Sequence, residues 1–226
     1  MTQDQHKREA ARAALELLPP SGVIGLGSGS TARYFIEALA ERVREGSAYV
    51  GVPTSEGSRE LAERLGIPLL ADDGPWDIVA CVDGADEVSA SLDLIKGGGG
   101  AHTREKIVNF AARQNIIIVD ETKLSPRLGE RYAVPVEVLH FAHHQTAQKL
   151  VEHGPHSVRQ VKGAPFRTDS GNYIYDIRTG PIESPRDLDL ALKSIPGVVE
   201  TGLFYGRADI VLVARENGVE RLIRPR

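Results

Sequence analysis

The chain has 226 residues, 41% hydrophobic and 26% charged, which is typical of a globular protein rather than a disordered or fibrous one. Its 27 basic and 31 acidic side chains give a formal net charge of −4, which argues against a nucleic acid or an anionic membrane as partner. The single cysteine excludes an internal disulfide, and the amino terminus lacks the apolar core of a signal peptide. A lone cysteine fits a reducing compartment, so we expect a cytoplasmic protein. No stretch approaches the roughly 20 apolar residues that span a bilayer.

Short apolar runs alternate with helical stretches over the first part of the chain. Between the first two runs, Phe35, Leu39 and Val43 fall on one face of a helix. The runs themselves are typical of buried parallel strands, at residues 23–26, 49–52, 78–82 and 116–119. This alternation predicts an α/β fold with a doubly wound, Rossmann-like parallel sheet. Because ligands bind at the carboxyl ends of such strands, the residues after each run are the candidates for a site.

From about Tyr132 the pattern changes to one of strand, helix, two strands, helix and strand. We predict these elements at residues 133–139, 142–152, 158–166, 172–177, 185–194 and 198–204. The order βαββαβ indicates a small, ferredoxin-like α+β domain that could act as a lid or an oligomerisation surface. Two further strands, at 209–214 and 219–223, return to the first domain. We therefore expect a Rossmann-like domain of residues 1–131 and 207–226, and a smaller domain of residues 132–206.

The sequence Gly-Leu-Gly-Ser-Gly-Ser-Thr at residues 25–31 follows the first strand and precedes a helix. Glycines expose backbone N–H groups, and a helix N-terminus adds partial positive charge, so the loop favours an anion. Ser30 stands where a dinucleotide fingerprint needs its third glycine, and no carboxylate follows the second strand, which disfavours NAD. No Gly-Lys-Ser/Thr closes the loop as in a nucleotide P-loop. The loop suits a single phosphate ester, the alternative being a strand-to-helix turn capped by Ser30.

Two further blocks carry ionisable groups. Residues 83–87, Asp-Gly-Ala-Asp-Glu, bring three carboxylates together after a buried strand, where crowding can raise the pKa of one; a solvated turn is the alternative. Lys96 precedes four glycines, and Thr103 is expected to be the N-cap of a helix with Glu105 in its first turn. The helix dipole favours ionised Glu105 and burial opposes it, as a poised base requires, although a first-turn glutamate can simply complement the dipole.

Taken together, these blocks resemble ribose-5-phosphate isomerase of the A type. The matching segments are residues 27–31, 83–87, 96–99, 103–106, 120–123, 134–138 and 197–204. Their order and spacing match along the whole chain. The departures are Gly100, which extends the glycine run, and His102, which stands where an apolar residue is expected. Neither departure changes the spacing between Lys96 and Glu105.

The resemblance implies interconversion of D-ribose 5-phosphate and D-ribulose 5-phosphate in the pentose phosphate pathway, through a cis-enediol(ate), without cofactor or metal. It implies a homodimer or homotetramer. It assigns Glu105 as the general base, Asp83 to proton exchange with sugar hydroxyls, Asp86 to orienting Lys96, and Lys96 to stabilising developing negative charge. The substrate-binding residues that it implies are Ser28, Gly29, Ser30, Thr31, Asp83, Gly84, Ala85, Asp86, Lys96, Gly97, Gly98, Gly99 and Lys123. Lys7 is expected to add positive charge at the phosphate, the alternative being a solvated helix face.

Other function classes keep part of this pattern. On the same fold, a coenzyme A transferase would use a glutamate as nucleophile, and an aminosugar-phosphate deaminase would release ammonia. A non-catalytic sugar-phosphate sensor would not need Glu105 together with Lys96, and we would expect it to carry a DNA-binding segment. An assay of products from ribose 5-phosphate separates these alternatives.

Two features elsewhere have simpler interpretations. His140, His143 and His144 have the helical spacing of metal ligands but no evident carboxylate partner, which favours a solvated histidine cluster. Cys81 lies within a predicted strand and is expected to be a small buried hydrophobe rather than a nucleophile.

Overall fold

A computed structural model describes residues 3–225 of the chain. The helices of this part are α1 (Gln3–Leu15), α2 (Gly29–Arg44), α3 (Glu56–Arg64), α4 (His102–Ala111), α5 (His143–Leu150) and α6 (Pro185–Lys193). The strands are β1 (Gly22–Leu26), β2 (Tyr49–Pro53), β3 (Ile78–Asp83), β4 (Glu87–Val88), β5 (Leu94–Ile95), β6 (Asn115–Asp120), β7 (Val134–Val138), β8 (His156–Val158), β9 (Gln160–Val161), β10 (Ala164–Pro165), β11 (Tyr173–Ile177), β12 (Val198–Thr201), β13 (Leu203–Phe204), β14 (Ile210–Arg215) and β15 (Gly218–Ile223). None of these helices has the length and apolarity needed to cross a membrane.

The chain packs as two compact units. The first runs up to Ala85 and includes Arg104–Lys123 and the residues from Arg207 onward. The second consists of Asp86–Thr103 and Leu124–Gly206.

The first unit is built on a six-stranded sheet in the order β15-β14-β6-β3-β1-β2. Neighbouring strands from β14 to β2 are parallel, and β15 runs antiparallel to β14. One face packs against α1, α2 and α3, with Phe35 and Leu39 fully buried. On the other face Val108 of α4 packs with Val52 and Cys81. Helices on both faces explain why the strands are apolar throughout, and they confirm the predicted doubly wound α/β fold.

The carboxyl ends of β2, β1, β3 and β6 lie side by side, because these four strands are neighbours and parallel. The sheet therefore brings together the residues that follow them, as the sequence predicts for a ligand site. The 3₁₀ turn Glu121–Lys123 follows β6 directly.

The second unit contains a four-stranded antiparallel sheet in the order β12-β7-β11-β8. In chain order this is 4-1-3-2, the arrangement of a ferredoxin-like βαββαβ domain. Its core buries Val134, Val136 and Val138 of β7 against Leu150 and Leu192. The predicted small α+β architecture is confirmed.

Two predicted strands of this unit are divided in the structure. The stretch predicted at 158–166 forms β8 and then the β9–β10 hairpin, because Lys162 and Gly163 adopt positive φ angles of 51° and 81° and reverse the chain. The stretch predicted at 198–204 changes sheet at Gly202: β12 pairs with β7, whereas β13 pairs with β5.

The second unit also takes in residues on the amino-terminal side of the predicted domain boundary at residue 131. Residues 86–103 belong to it because β4 and β5 form a three-stranded sheet with β13. Residues 124–131 belong to it as well, with Leu124 bridging to Val88 of β4. Strands of two residues carry no readable periodicity, so the sequence pattern cannot reveal this sheet.

Candidate active site

The start of α2 in the first unit is arranged to receive an anion. Ser28, not Ser30, occupies the N-cap position, and its side chain makes no capping hydrogen bond. Instead, Ser28 Oγ lies 2.8 Å from Thr54 Oγ1 and donates to Ser55 Oγ at 2.8 Å. The first turn of α2 contains no acidic residue. Ser28 therefore leaves the backbone N–H groups of this turn uncapped, and with the helix dipole they favour a phosphate.

Lys7 on α1 lies at the same helix end. Its ammonium donates to Ser30 Oγ at 3.0 Å. The positive charge is therefore added in the first turn of α2, where the helix dipole already favours an anion. Lys7, Gly29, Ser30 and Thr31 are thus grouped as the sequence predicts for a phosphate site.

The side chain of Ser28 is fixed by a chain of hydroxyl groups on residues outside the predicted site. Ser28 donates to Ser55, Ser55 Oγ lies 2.9 Å from Ser58 Oγ, and Ser58 Oγ donates to the carbonyl oxygen of Gly27 at 2.7 Å. Thr54 is buried and donates to the carbonyl of Leu26 at 3.0 Å. The sequence could have indicated Thr54 and Ser55 by their position, because they follow β2 at its carboxyl end, where ligands bind in a parallel sheet.

Asp83, at the end of β3, ties two loops together. Its side chain is 2% exposed, and Oδ1 accepts the N–H of Ser28 at 3.0 Å and of Gly84 at 2.7 Å. Gly27 lies directly against it, so close that a Cβ at Gly27 would meet the Asp83 side chain and backbone. The carboxylate is therefore held in one orientation beside the loop that begins α2.

Glu105 lies in the first turn of α4 and is 4% exposed. Its neighbour Arg104 donates to Glu56 Oε1 at 2.7 Å. The predicted N-cap role of Thr103 is wrong, because the helix already begins at His102. Thr103 uses its hydroxyl to donate to the buried carboxylate of Glu137 instead. Glu105 is thus a buried carboxylate on a helix, the type of group that can act as a shielded general base.

Lys123 belongs to the turn that follows β6. The buried Asp120 anchors this turn, since its Oδ1 accepts the N–H of Thr122 at 3.0 Å and the Thr122 hydroxyl. Because β6 and β3 are parallel neighbours, Lys123 follows the strand next to the one that ends in Asp83.

In the second unit, Asp86 and Lys96 flank the β4–β5 hairpin. The antiparallel pairing brings its two ends together, and Asp86 N donates to the carbonyl of Ile95 at 2.9 Å. Asp86 Oδ2 accepts the N–H of Gly98 at 2.6 Å, and a Cβ at Gly98 would lie 2.5 Å from Asp86 Oδ1. Asp86 therefore binds the glycine loop, which we define as residues 97–100, and its orientation of Lys96 stays a prediction.

Lys96 is 3% exposed. Its backbone N–H donates to Gly202 at 2.9 Å, and its ammonium lies 5.5 Å from the centroid of the Phe204 ring. A cation over an aromatic face is partly compensated for its lost hydration. The second unit thus holds a buried positive charge next to a loop of backbone amides.

The three carboxylates of residues 83–87 bind different backbone amides. Asp83 binds the N–H groups of Ser28 and Gly84, and Asp86 binds that of Gly98. Glu87 is fully buried and accepts the N–H groups of Gly129 at 2.9 Å and Arg131 at 3.3 Å. Glu87 therefore anchors a loop of the second unit rather than joining the candidate catalytic groups.

The histidine cluster belongs to the second unit and the cysteine to the first. His143 Nδ1 lies 2.7 Å from Tyr175 Oη, and its ring is 4.0 Å from that of His144. Burial, and then the neighbouring charges of His144 and Arg167, hold the pKa of His143 below its usual 6.5. Within residues 3–225, no three His, Cys, Asp or Glu side chains are grouped so as to hold a metal ion. Cys81 is buried in the sheet core, as predicted.

Comparison with known proteins identifies relatives of this chain. The family model described as ribose 5-phosphate isomerase A (phosphoriboisomerase A) matches residues 50–218. The chain is 49% identical over 226 residues to the ribose-5-phosphate isomerase A of Gloeobacter violaceus, covering 98% of this chain and 97% of the relative. It is 46% identical over 223 residues to that of Chloroflexus aurantiacus, covering 97% and 93%. A solved D-ribose-5-phosphate isomerase in complex with phospho-erythronic acid has a TM-score of 0.95 and 41% identity, covering 99% of this chain and 100% of that one.

Proposed function

The chain belongs to the ribose-5-phosphate isomerase A family, and from this premise we propose how its residues carry out the isomerisation. It is an aldose–ketose isomerase that interconverts D-ribose 5-phosphate and D-ribulose 5-phosphate through a cis-enediol(ate). The observation that carries this conclusion is the similarity along the whole chain, which includes every block that bears a candidate catalytic group.

We assign the proton transfer to Glu105. In the aldose-to-ketose direction, the carboxylate takes the proton from C2, the C–H electron pair forms the C1–C2 double bond, and the C1 carbonyl oxygen gains negative charge. The same carboxyl group then returns its proton to C1, and the proton of the C2 hydroxyl passes to the C1 oxygen, so that C2 becomes the carbonyl carbon, C1 bears the hydroxyl and the carboxylate is regenerated. One base can serve both carbons because they are adjacent on one face of a cis-enediol. The burial of Glu105 supports this role, since a site that excludes water protects the reactive enediol(ate) from side reactions.

We assign stabilisation of the enediolate oxygens to Lys96 and the glycine loop. Removing one donor of this kind typically raises a barrier by about 2.7–4 kcal/mol. Because the N–H of Gly98 donates to Asp86, the amides of Gly97 and Gly99 are the loop donors that we assign to the substrate. The burial of Lys96 supports this role, because a charge interacts more strongly where water is excluded.

We assign the phosphate to the first turn of α2, at Ser28, Gly29, Ser30 and Thr31, with Lys7 as the neighbouring charge. The uncapped helix start and the Lys7–Ser30 hydrogen bond support this assignment. We further propose that Asp83 assists ring opening by exchanging protons with the sugar hydroxyls. Contacts to the sugar are assigned to Gly84, Ala85, Asp86 and Lys123.

The variant Glu105→Gln tests the central assignment, because it keeps the side-chain shape and removes the base. We expect turnover to fall by about 10² or more, with a modest change in KM. Glu60→Gln, the same substitution at an exposed position of α3, is the matched control and should leave turnover unchanged. A Glu105→Gln variant that retains more than about a tenth of wild-type turnover would show that another group is the base.

Solvent isotope incorporation tests the reaction itself. In heavy water the wild-type enzyme should introduce deuterium at C2 of the recovered aldose, because the enediol(ate) is reprotonated by a group that exchanges with solvent. Ammonia release from an aminosugar phosphate, or acyl transfer to coenzyme A, would support the deaminase or transferase alternatives. Ligand binding without isotope exchange would support the sensor.

We also propose that the protein acts in the cytoplasm as a homodimer or homotetramer. The exposed side chains of Leu139 and Phe141, the latter 81% exposed, support an association surface on the second unit. Sedimentation velocity should give a mass of two or four protomers, and Phe141→Asp should shift it toward the protomer.

A further inference from the structure

Arg159, between β8 and β9 of the second unit, binds the glycine loop from the carbonyl side. Its Nη1 donates to the carbonyl oxygen of Gly97 at 2.6 Å and to that of Gly98 at 3.1 Å. The Gly97 carbonyl also accepts the N–H of Gly100 at 2.9 Å, which closes a turn. Two consecutive carbonyls of the loop therefore converge on one guanidinium nitrogen.

Asp176 holds the guanidinium in this position. Arg159 Nε donates to Oδ2 at 2.9 Å and Nη2 donates to Oδ1 at 2.5 Å, a bidentate pair with side chains 16% and 27% exposed. Asp176 lies in β11, near the middle of the four-stranded sheet. Such a planar fork is far more directional than a lysine ammonium. Because the carboxylate neutralises the guanidinium, the pair acts on the loop through geometry rather than through net charge.

Asp86 binds the same peptide unit from its other end. The carbonyl of Gly97 and the N–H of Gly98 belong to one peptide plane, and Asp86 accepts that N–H at 2.6 Å while Arg159 donates to that carbonyl at 2.6 Å. A peptide plane between two glycines has no side chain to restrict its rotation. Its orientation therefore depends on Arg159 and Asp86 acting from opposite sides.

We propose that Arg159 is a positioning residue for the isomerase reaction, which aligns the amides of the glycine loop. It fixes the Gly97–Gly98 peptide plane and, through the carbonyl of Gly98, the following plane, which carries the N–H of Gly99. The proposal rests on the proposed function of that loop as the donor to the enediolate. Donors that are oriented before the charge develops need no reorganisation in the transition state, which is the main advantage of a preorganised site. The phosphate contacts that we assign lie on the first unit and do not involve Arg159, so ground-state binding should be largely preserved.

The test compares Arg159→Met with Arg167→Met, both in the second unit. Arg167 stacks on Tyr173 and donates to the carbonyl of Gly171 at 2.8 Å, so it makes similar contacts away from the glycine loop. We expect Arg159→Met to lower kcat by about 10- to 100-fold, the cost of a donor misplaced by about 1 Å, with KM changed by less than about threefold. Arg167→Met should keep wild-type kcat. Arg159→Lys should recover part of kcat, because an ammonium can reach one carbonyl but cannot also form the bidentate pair.

Chemical rescue separates positioning from folding. Guanidinium ion at non-denaturing concentration should raise kcat of Arg159→Ala in a saturable manner, whereas ammonium at the same concentration should not. If Arg159→Met does not fold, the kcat of Arg159→Lys and the rescue of Arg159→Ala by guanidinium test the proposal in its place. A kcat within about twofold of wild type in Arg159→Met, a loss matched by Arg167→Met, or no rescue would overturn the proposal. Failure of the proposed function is distinguishable, because the wild-type enzyme itself would then not isomerise ribose 5-phosphate.

Discussion

Replacing Gly27 by alanine adds one methyl group at the most crowded point of the first unit. An ideal Cβ at this position would lie 2.3 Å from Asp83 Oδ1, 2.4 Å from its Cγ and 2.6 Å from its Cα. Carbon atoms in contact normally stay about 3.5–4.0 Å apart. The Asp83 backbone would therefore have to move by about 1 Å, because its Cα cannot swing away like the end of a flexible side chain.

The expected cost has two parts. Overpacking of a buried site destabilises by about 1–3 kcal/mol. The movement also strains the bonds from the N–H groups of Ser28 and Gly84 to Asp83, 3.0 and 2.7 Å long, and a hydrogen bond to a charged group is worth about 1.5–3 kcal/mol. We therefore expect Gly27→Ala to lower the free energy of unfolding by about 3 kcal/mol. Since Asp83 is assigned to the substrate, kcat should fall by about 10².

Guanidinium denaturation and steady-state kinetics on the same preparation measure both effects. Gly57→Ala in α3 is the matched control, because its Cβ would meet only Ser55 Oγ, at 4.0 Å. Gly57 is exposed in the first turn of α3, so this control should keep the wild-type stability to within about 0.5 kcal/mol. A Gly27→Ala enzyme with wild-type stability and turnover would refute the argument that Asp83 is held against the loop.

Three further predictions follow from other parts of the molecule. Thr31→Ala should weaken binding of ribose 5-phosphate, measured by calorimetry, by about 10-fold or more, because it removes a hydrogen bond to the charged phosphate. An equal weakening of the binding of unphosphorylated ribose would contradict the phosphate assignment. Glu137 is 1% exposed and accepts hydrogen bonds from Thr168 Oγ1 at 2.9 Å and Asn172 Nδ2 at 2.8 Å. Glu137→Ala should therefore lower the free energy of unfolding by about 3 kcal/mol, and Glu137→Gln should lower it by less. An unchanged denaturation midpoint in Glu137→Ala would be inconsistent with a buried anchor. The pKa of His143 is lowered by burial, so below its usual value of 6.5 the unfolded chain binds more protons at this residue than the folded one does. Stability should therefore fall between about pH 7.5 and pH 5.5, and His143→Gln should remove that part of the loss; denaturation midpoints at both pH values check this, and an identical loss in the variant would count against it.

The parallel sheet of the first unit could be predicted because its signal is local. A strand covered by helices on both faces must be apolar along its length, and all six residues of β6 are buried. The rule that ligands bind at strand carboxyl ends then selects the residues after each strand without any knowledge of the packing. The order and spacing of the motif blocks along the chain are also properties of the sequence, and together they sufficed to indicate the family.

Other features could not be read from the chain because they depend on distant partners. The two-residue strands β5 and β13 exist only because Leu94–Ile95 pairs with Leu203–Phe204. The Arg159–Asp176 pair and its contacts to the glycine loop join segments that have no pattern in common. Thr103 has the residue type of an N-cap, but the buried carboxylate of Glu137 takes its hydroxyl.

The segment at residues 83–87 shows which properties the sequence determines and which depend on the tertiary structure. Its composition and its place after an apolar strand are properties of the sequence, and they suffice to predict a cluster of acidic groups at a ligand-binding edge. What each carboxylate does was decided only by folding: Asp83 binds an amide 55 residues away, Asp86 one 12 residues away, and Glu87 one 42 residues away. Sheet pairing determines which backbone amide lies next to each carboxylate. That amide determines which segment the carboxylate holds in place.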